Sequence, residues 1–250
     1  MFFTFLKQSI NRKLWFCVLV TVLIMSGAVA GLFSPTSSVW YLLDKAMVGS
    51  GVVSLLICVI PILPYGGSVA EEFETGILRY YTIRTGRTAY FANKVLVSFI
   101  SGFLTMFLAQ AAFILIFLPF YPLFGHGHTD YAYEGLMKNG EVLRGVLMFM
   151  AHMSLSGALM AAAAVFVSTV IPNKFAAISV PVIAYFTCSR IIPVGAGVPR
   201  FLNPAFIVES IVGMKDPNTE LLVKFCTVVI LSALFAILGN LILKRRIAHA

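Results

Sequence analysis

Apolar residues run through this chain in long blocks separated by short polar stretches. A helix needs about 20 mostly apolar residues to cross the hydrocarbon core of a bilayer. Six blocks meet that length: Leu14–Phe33, Gly51–Ala70, Val95–Phe120, Val142–Val170, Phe175–Ile192 and Leu221–Leu243. Backbone groups in hydrocarbon must be paired within their own segment, so these blocks read as helices. The second contains Pro61 and Pro64, which predict a kinked or partly unwound span. The expected fold is an all-α integral membrane protein with six transmembrane helices.

The polar stretches carry patterns of their own. In residues 1–13, Phe2, Leu6 and Ile10 recur at helical spacing with Lys7, Gln8 and Asn11 between them, which predicts an amphipathic interfacial helix. The stretch EEFETGILRYYTIRTGRTAYFANK, residues 71–94, is the most polar in the chain. Ser68 and Glu71 are spaced as a capping box, acids lead and basic residues follow, and Thr85-Gly86 is a stop signal. A single helix over 68–86 is expected, with Phe73, Ile77, Tyr80 and Tyr81 as an apolar stripe and Glu71, Glu72, Thr75 and Arg79 facing elsewhere.

Composition and charge set the class. Of 250 residues, 60% are hydrophobic and 11% charged, with mean hydropathy +0.95, too few polar groups to cover a soluble domain. The net charge of +8 does not require nucleic acid. With the amino terminus inside, most Lys and Arg fall on the cytoplasmic side and most acids outside, a positive-inside signature with both termini cytoplasmic. The Ala28-x-Ala30 pattern imitates a processing site, but the segment before it suits an uncleaved first span. Cys17, Cys58, Cys188 and Cys226 are scattered in apolar runs, so no disulfide and no metal are expected.

Glu72-x-x-x-Gly76-x-Leu78, then Arg87, then Lys94 at the opening of the next span, resembles the cytoplasmic loop of permease subunits of type 2 ATP-binding-cassette (ABC) exporters. That resemblance implies a single permease domain over 1–250, with a coupling helix at 68–86 that fits a groove on a separate ABC ATPase subunit. Glu71, Glu72, Phe73, Gly76, Tyr80, Tyr81 and Arg87 are its expected coupling residues. It also implies a second permease copy, identical or not, and ATP and Mg bound by the partner. The segment 193–220 falls where the family has an outer, re-entrant segment. Phe201–Met214 with its Asn203-Pro204 break, and the basic end Leu243–Arg246, fit the same pattern. Ile77 stands where many members have Thr, and TGR where many have a Pro, which leaves the subfamily open.

The chain has no G-x-x-x-x-G-K-[ST] phosphate loop, so it has no cofactor of its own by that route. Gln110, His152 and Asn240 are polar residues within spans and mark a candidate substrate path, against helix-to-helix hydrogen bonding as the plainer reading. Glu209 joins them as an acid near the outer exit, able to bind a cation or to pair with Arg190 or Arg200. Ser154, Gly157, Ala158 and Ala161–Ala164 suit close helix packing. His126-x-His128-x-Asp130 with Glu134 has metal-ligand chemistry but no fixed spacing, so a pH-sensitive or merely solvated loop is expected. Glu71-Glu72 does not match the site of a CAAX-type membrane protease, because Gly76 stands where such an enzyme has Arg and the histidines lie elsewhere. The expected function is export of an amphipathic peptide, drug or lipid-like substrate across the cell membrane. An ATPase-independent transporter or an immunity or binding protein is the alternative.

Overall fold

The computed structural model describes residues 2–34, 37–48, 58–125, 132–192, 197–208, 214 and 216–248, and these are all-helical, with no strand among them. Four helices are long and apolar enough to cross a membrane: α6 (Arg87–Phe117), α8 (Val142–Val170), α9 (Lys174–Ile191) and α11 (Pro217–Ala248). A fifth candidate is the pair α1 (Phe2–Ser9) and α2 (Arg12–Ala28), bent by 44° at the break between them. Residues 51–57, the first part of the second expected block, lie outside the described residues. Its end is not a regular helix. Pro61 sits in a 3₁₀ turn, Ile60–Ile62, followed by tight turns to Gly67, because proline removes a backbone donor.

Three boundaries shift for local reasons. The third block begins earlier than its apolar run, since α6 opens at Arg87 and carries Lys94 within its first turns. Asn11 is not part of α1's polar face. It caps α2, accepting from the Lys13 and Leu14 amides, as Asn173 caps α9. On α1 the most buried apolar side chain is Phe5, while Phe2 and Leu6 are half-buried and Ile10 lies beyond the helix, exposed.

The core sits around α8, which is buried along most of its length and packs on α6, α9 and α11. The small residues allow this. A Cβ on Gly102 of α6 would lie 2.5 Å from the Gly157 carbonyl oxygen and 2.7 Å from the Ala161 Cβ. The close approach is fixed by the Ser98 hydroxyl, which donates to the Ala161 carbonyl at 2.9 Å.

The two ends of the bundle differ. One end gathers α1, α4 (Ser68–Glu74), α5 (Ile77–Thr85), the α8–α9 turn and the last turns of α11. The other gathers α3 (Val39–Met47), α7 (Ala132–Lys138), α10 (Pro204–Val208) and the start of α11. There α3 is held by the Pro122 and Leu123 carbonyls and by Trp40 edge-on to Phe149. Asn203 caps α10 by accepting from Ala205, with Pro204 at the first helical position, so the Asn203-Pro204 break is a helix start. Residues 209–213 of the expected re-entrant segment lie outside the described residues.

Glu134 is buried on α7 and ion-paired with Lys138 at 2.8 Å, so it does not belong to a solvated loop. His126, His128 and Asp130 lie outside the described residues. Burial pushes the neighbouring Asp44 carboxyl up to about 6, with Lys45 opposing the rise and Glu134 adding to it.

Gly102→Val should force α6 and α8 apart and lower stability by about 1–3 kcal/mol, read as a lower unfolding midpoint in detergent. For Asp44 the folded pKa lies above the unfolded one, so stability is lost as pH rises from the ordinary carboxylate value through about 6. Asp44→Asn should therefore raise the thermal midpoint above about pH 7 and change it little below about pH 4.

Candidate functional site

The most concentrated buried chemistry at the α1 end centres on Lys94. Its side chain is fully buried near the start of α6. A helix of 31 residues runs about 46 Å, against about 30 Å of hydrocarbon, so its first turns can lie beyond the core. Burying an ammonium costs several kcal/mol unless charge and hydrogen bonds compensate. Here Lys94 Nζ donates to Glu72 Oε1 at 2.6 Å and to the Tyr65 hydroxyl at 2.9 Å. The Tyr90 hydroxyl donates to the other Glu72 oxygen. Aromatic faces close the cage, with Lys94 Nζ 4.3 Å from the Phe5 ring centroid and 4.8 Å from that of Tyr65. Tyr81 stacks on Tyr90, and Phe5 meets both edge-on.

The structure divides the segment that sequence pattern presents as one helix. The expected single helix over 68–86 is two, α4 and α5, because Gly76 adopts φ +73°, a left-handed conformation that glycine tolerates and that ends α4. Ser68 is not the cap residue. Gly67 is the N-cap, Ser68 is the first helical residue, and no side chain caps α4. The break also splits the expected stripe. Phe73 and Tyr81 are half-buried against the core, while Ile77 and Tyr80 are exposed.

The expected coupling residues and their neighbours thus separate by role. Glu72 turns inward to Lys94 instead of facing a partner. Glu71 and Glu74 are exposed and reach Lys174, the first residue of α9, at 3.2 and 3.9 Å. Arg87 Nε donates to Asn240 Oδ1 on α11 at 3.2 Å, and the Asn240 amide reaches the Thr88 hydroxyl. Arg246 of α11 donates to the Val170 carbonyl and lies 5.9 Å from the Phe73 ring. Tyr80 is 60% exposed and Ile83, which the stripe did not include, 86% exposed.

Of the candidate substrate path, Gln110, His152 and Asn240 each bond to a neighbouring helix. The Gln110 amide donates to Ser154 Oγ at 3.2 Å and joins α6 to α8. His152 Nδ1 is 2.9 Å from the Tyr133 hydroxyl at the opposite end of the bundle from Asn240. These bonds join helices, the plainer of the two readings, and Glu209 lies outside the described residues. Tyr65, Tyr90, Phe5 and Lys174 are not among the residues that the sequence singles out, and Lys94 enters there only as the end of the loop motif, without a role. The available signal was Lys94 itself, a cation at the edge of a long apolar run.

Comparison of the chain with protein-family models, with curated proteins and with solved structures finds no match.

Removing one partner of the buried pair leaves the other charge uncompensated. Lys94→Met and Glu72→Gln should each destabilise by about 3 kcal/mol or more. The double variant should lose less than the sum of the two, measured by unfolding in detergent, whereas additive losses would dissolve the coupling.

Proposed function

We infer that this chain is the membrane-spanning permease subunit of an ATP-driven exporter, and that α4–α5 is its coupling element. One observation carries the reading. The α4–α5 unit is tied to three long helices at once: to α6 through Glu72–Lys94, to α9 through Glu71–Lys174, and to α11 through Arg246 over Phe73. Its remaining face presents Tyr80 and Ile83 between Arg79 and Arg84, an apolar patch with basic flanks.

Such a unit can receive force on one face and deliver it to the spans through the other. Short ties to packed helices transmit a displacement, and a mobile loop would absorb it. Apolar anchors with charges around them are what a protein partner reads. The partner in this reading is a separate ABC ATPase that binds ATP and Mg and offers α5 an acidic groove. A second permease copy completes the pathway, and the end bearing α4–α5 is cytoplasmic. The apolar bundle suits an amphipathic peptide, drug or lipid-like cargo at the cell membrane.

The test is purification of the tagged chain from native membranes in mild detergent. The expected result is a stoichiometric soluble partner carrying a phosphate loop, lost in a Tyr80→Ala/Ile83→Glu variant. That variant should keep its own unfolding midpoint, because both side chains are exposed. Absence of any ATPase from the gently purified chain would favour an ATPase-independent transporter or a binding protein, and retention of an ATPase by the variant would overturn α5 as its docking surface.

A further inference from the structure

Beside the Lys94 cage lies an open cavity of about 640 Å³, formed where α1, the start of α2, the turn at Pro64, α4, the inner side of α5 and the start of α9 meet. Its wall carries opposite charges. Lys13, Lys94 and Lys174 are the cations, and Glu71 and Glu72 the acids. Glu72 is committed to Lys94. Lys174 pairs with Glu71 at 3.2 Å and lies 3.9 Å from Glu74, outside the cavity lining; all three side chains are about half exposed, so Lys174 and Glu71 keep free valences toward the cavity. Lys13 is exposed and has no ion pair among the described residues. The cavity thus offers two cations for an anion and one carboxylate for an ammonium.

Its depth fits the membrane boundary. Lys13 and Lys174 each stand in the first turn of a long apolar helix. Next to them, Trp15 and Phe16 on α2 and Phe175 on α9 are exposed apolar side chains, followed further along by Leu19 and Ile183. A molecule with its head in the cavity would have its apolar part alongside these faces. We propose that the cavity binds the zwitterionic phosphoethanolamine head of a phospholipid from the leaflet on the amino-terminal side. Its phosphate lies between Lys13 and Lys174 and its ammonium on Glu71. A singly anionic head would leave Glu71 facing it unmatched, and a trimethylated amine could not donate to that carboxylate. The proposal rests on the membrane spans and not on the ATPase, so it stands or falls separately from the coupling role.

The full chain is purified in detergent, offered phosphatidylethanolamine, phosphatidylglycerol or phosphatidylcholine in mixed micelles, and the retained lipid counted by native mass spectrometry. Phosphatidylethanolamine should be retained above the other two. Lys13→Glu and Glu71→Lys should each weaken its retention by about tenfold, the loss of one charge-assisted contact. Arg84→Ala, outside the cavity, should not. All three positions are exposed, and an unchanged unfolding midpoint shows that the fold is intact. Equal retention of the three lipids, or no effect of the Lys13 and Glu71 variants, overturns the site. Soluble phosphoethanolamine binding as tightly as the lipid overturns the lipid as its source.

Discussion

A buried ammonium must be neutralised and hydrogen-bonded or it will not stay buried, and Lys94 imposes that constraint on this fold. Its compensation comes from three separate parts of the chain. Phe5 arrives from α1, Tyr65 from the turn after the prolines, and Glu72 from α4. Each element would otherwise have little to hold it. α1 has eight residues and α4 seven, both far too short to be stable helices alone. The cage therefore orders the α1 end of the bundle, while α8 and its small residues order the middle.

The consequence is mechanical. The segment over 68–86 is divided at Gly76 into an anchored half and a presented half. α4 spends its acids on Lys94 and Lys174. α5 keeps Leu78 and Tyr81 inward and leaves Tyr80 and Ile83 outside. The anchored and the exposed halves are thus adjacent, the arrangement that the proposed coupling role uses. The cavity beside the cage is lined by the same charges, Glu71, Glu72, Lys94 and Lys174, and the proposed lipid head draws on the free valences of Glu71 and Lys174.

The long helices were legible because hydrophobic length is a strong signal; α8 begins and ends where its apolar block does. Boundaries set by capping were less so. Asn11 looks like a polar-face residue until its side-chain carbonyl is seen to accept from Lys13 and Leu14. The site was legible in outline only. The charges of residues 71–94 marked the right place, but periodicity could not reveal that Gly76 turns left-handed and redirects the faces. Nor could local pattern pair Glu72 with Lys94 across 22 positions, since that contact depends on how α4 folds back onto α6.

The coupling role is tested most directly by the sidedness and protection of Ile83. In a chain with its four native cysteines replaced, Ile83→Cys would be exposed to a membrane-impermeant thiol reagent in inside-out and right-side-out vesicles. A coupling element at this end of the bundle predicts labelling from the side of the amino terminus alone, and loss of labelling when the ATPase partner is bound. Labelling from the opposite side, or full labelling with the partner in place, would contradict it.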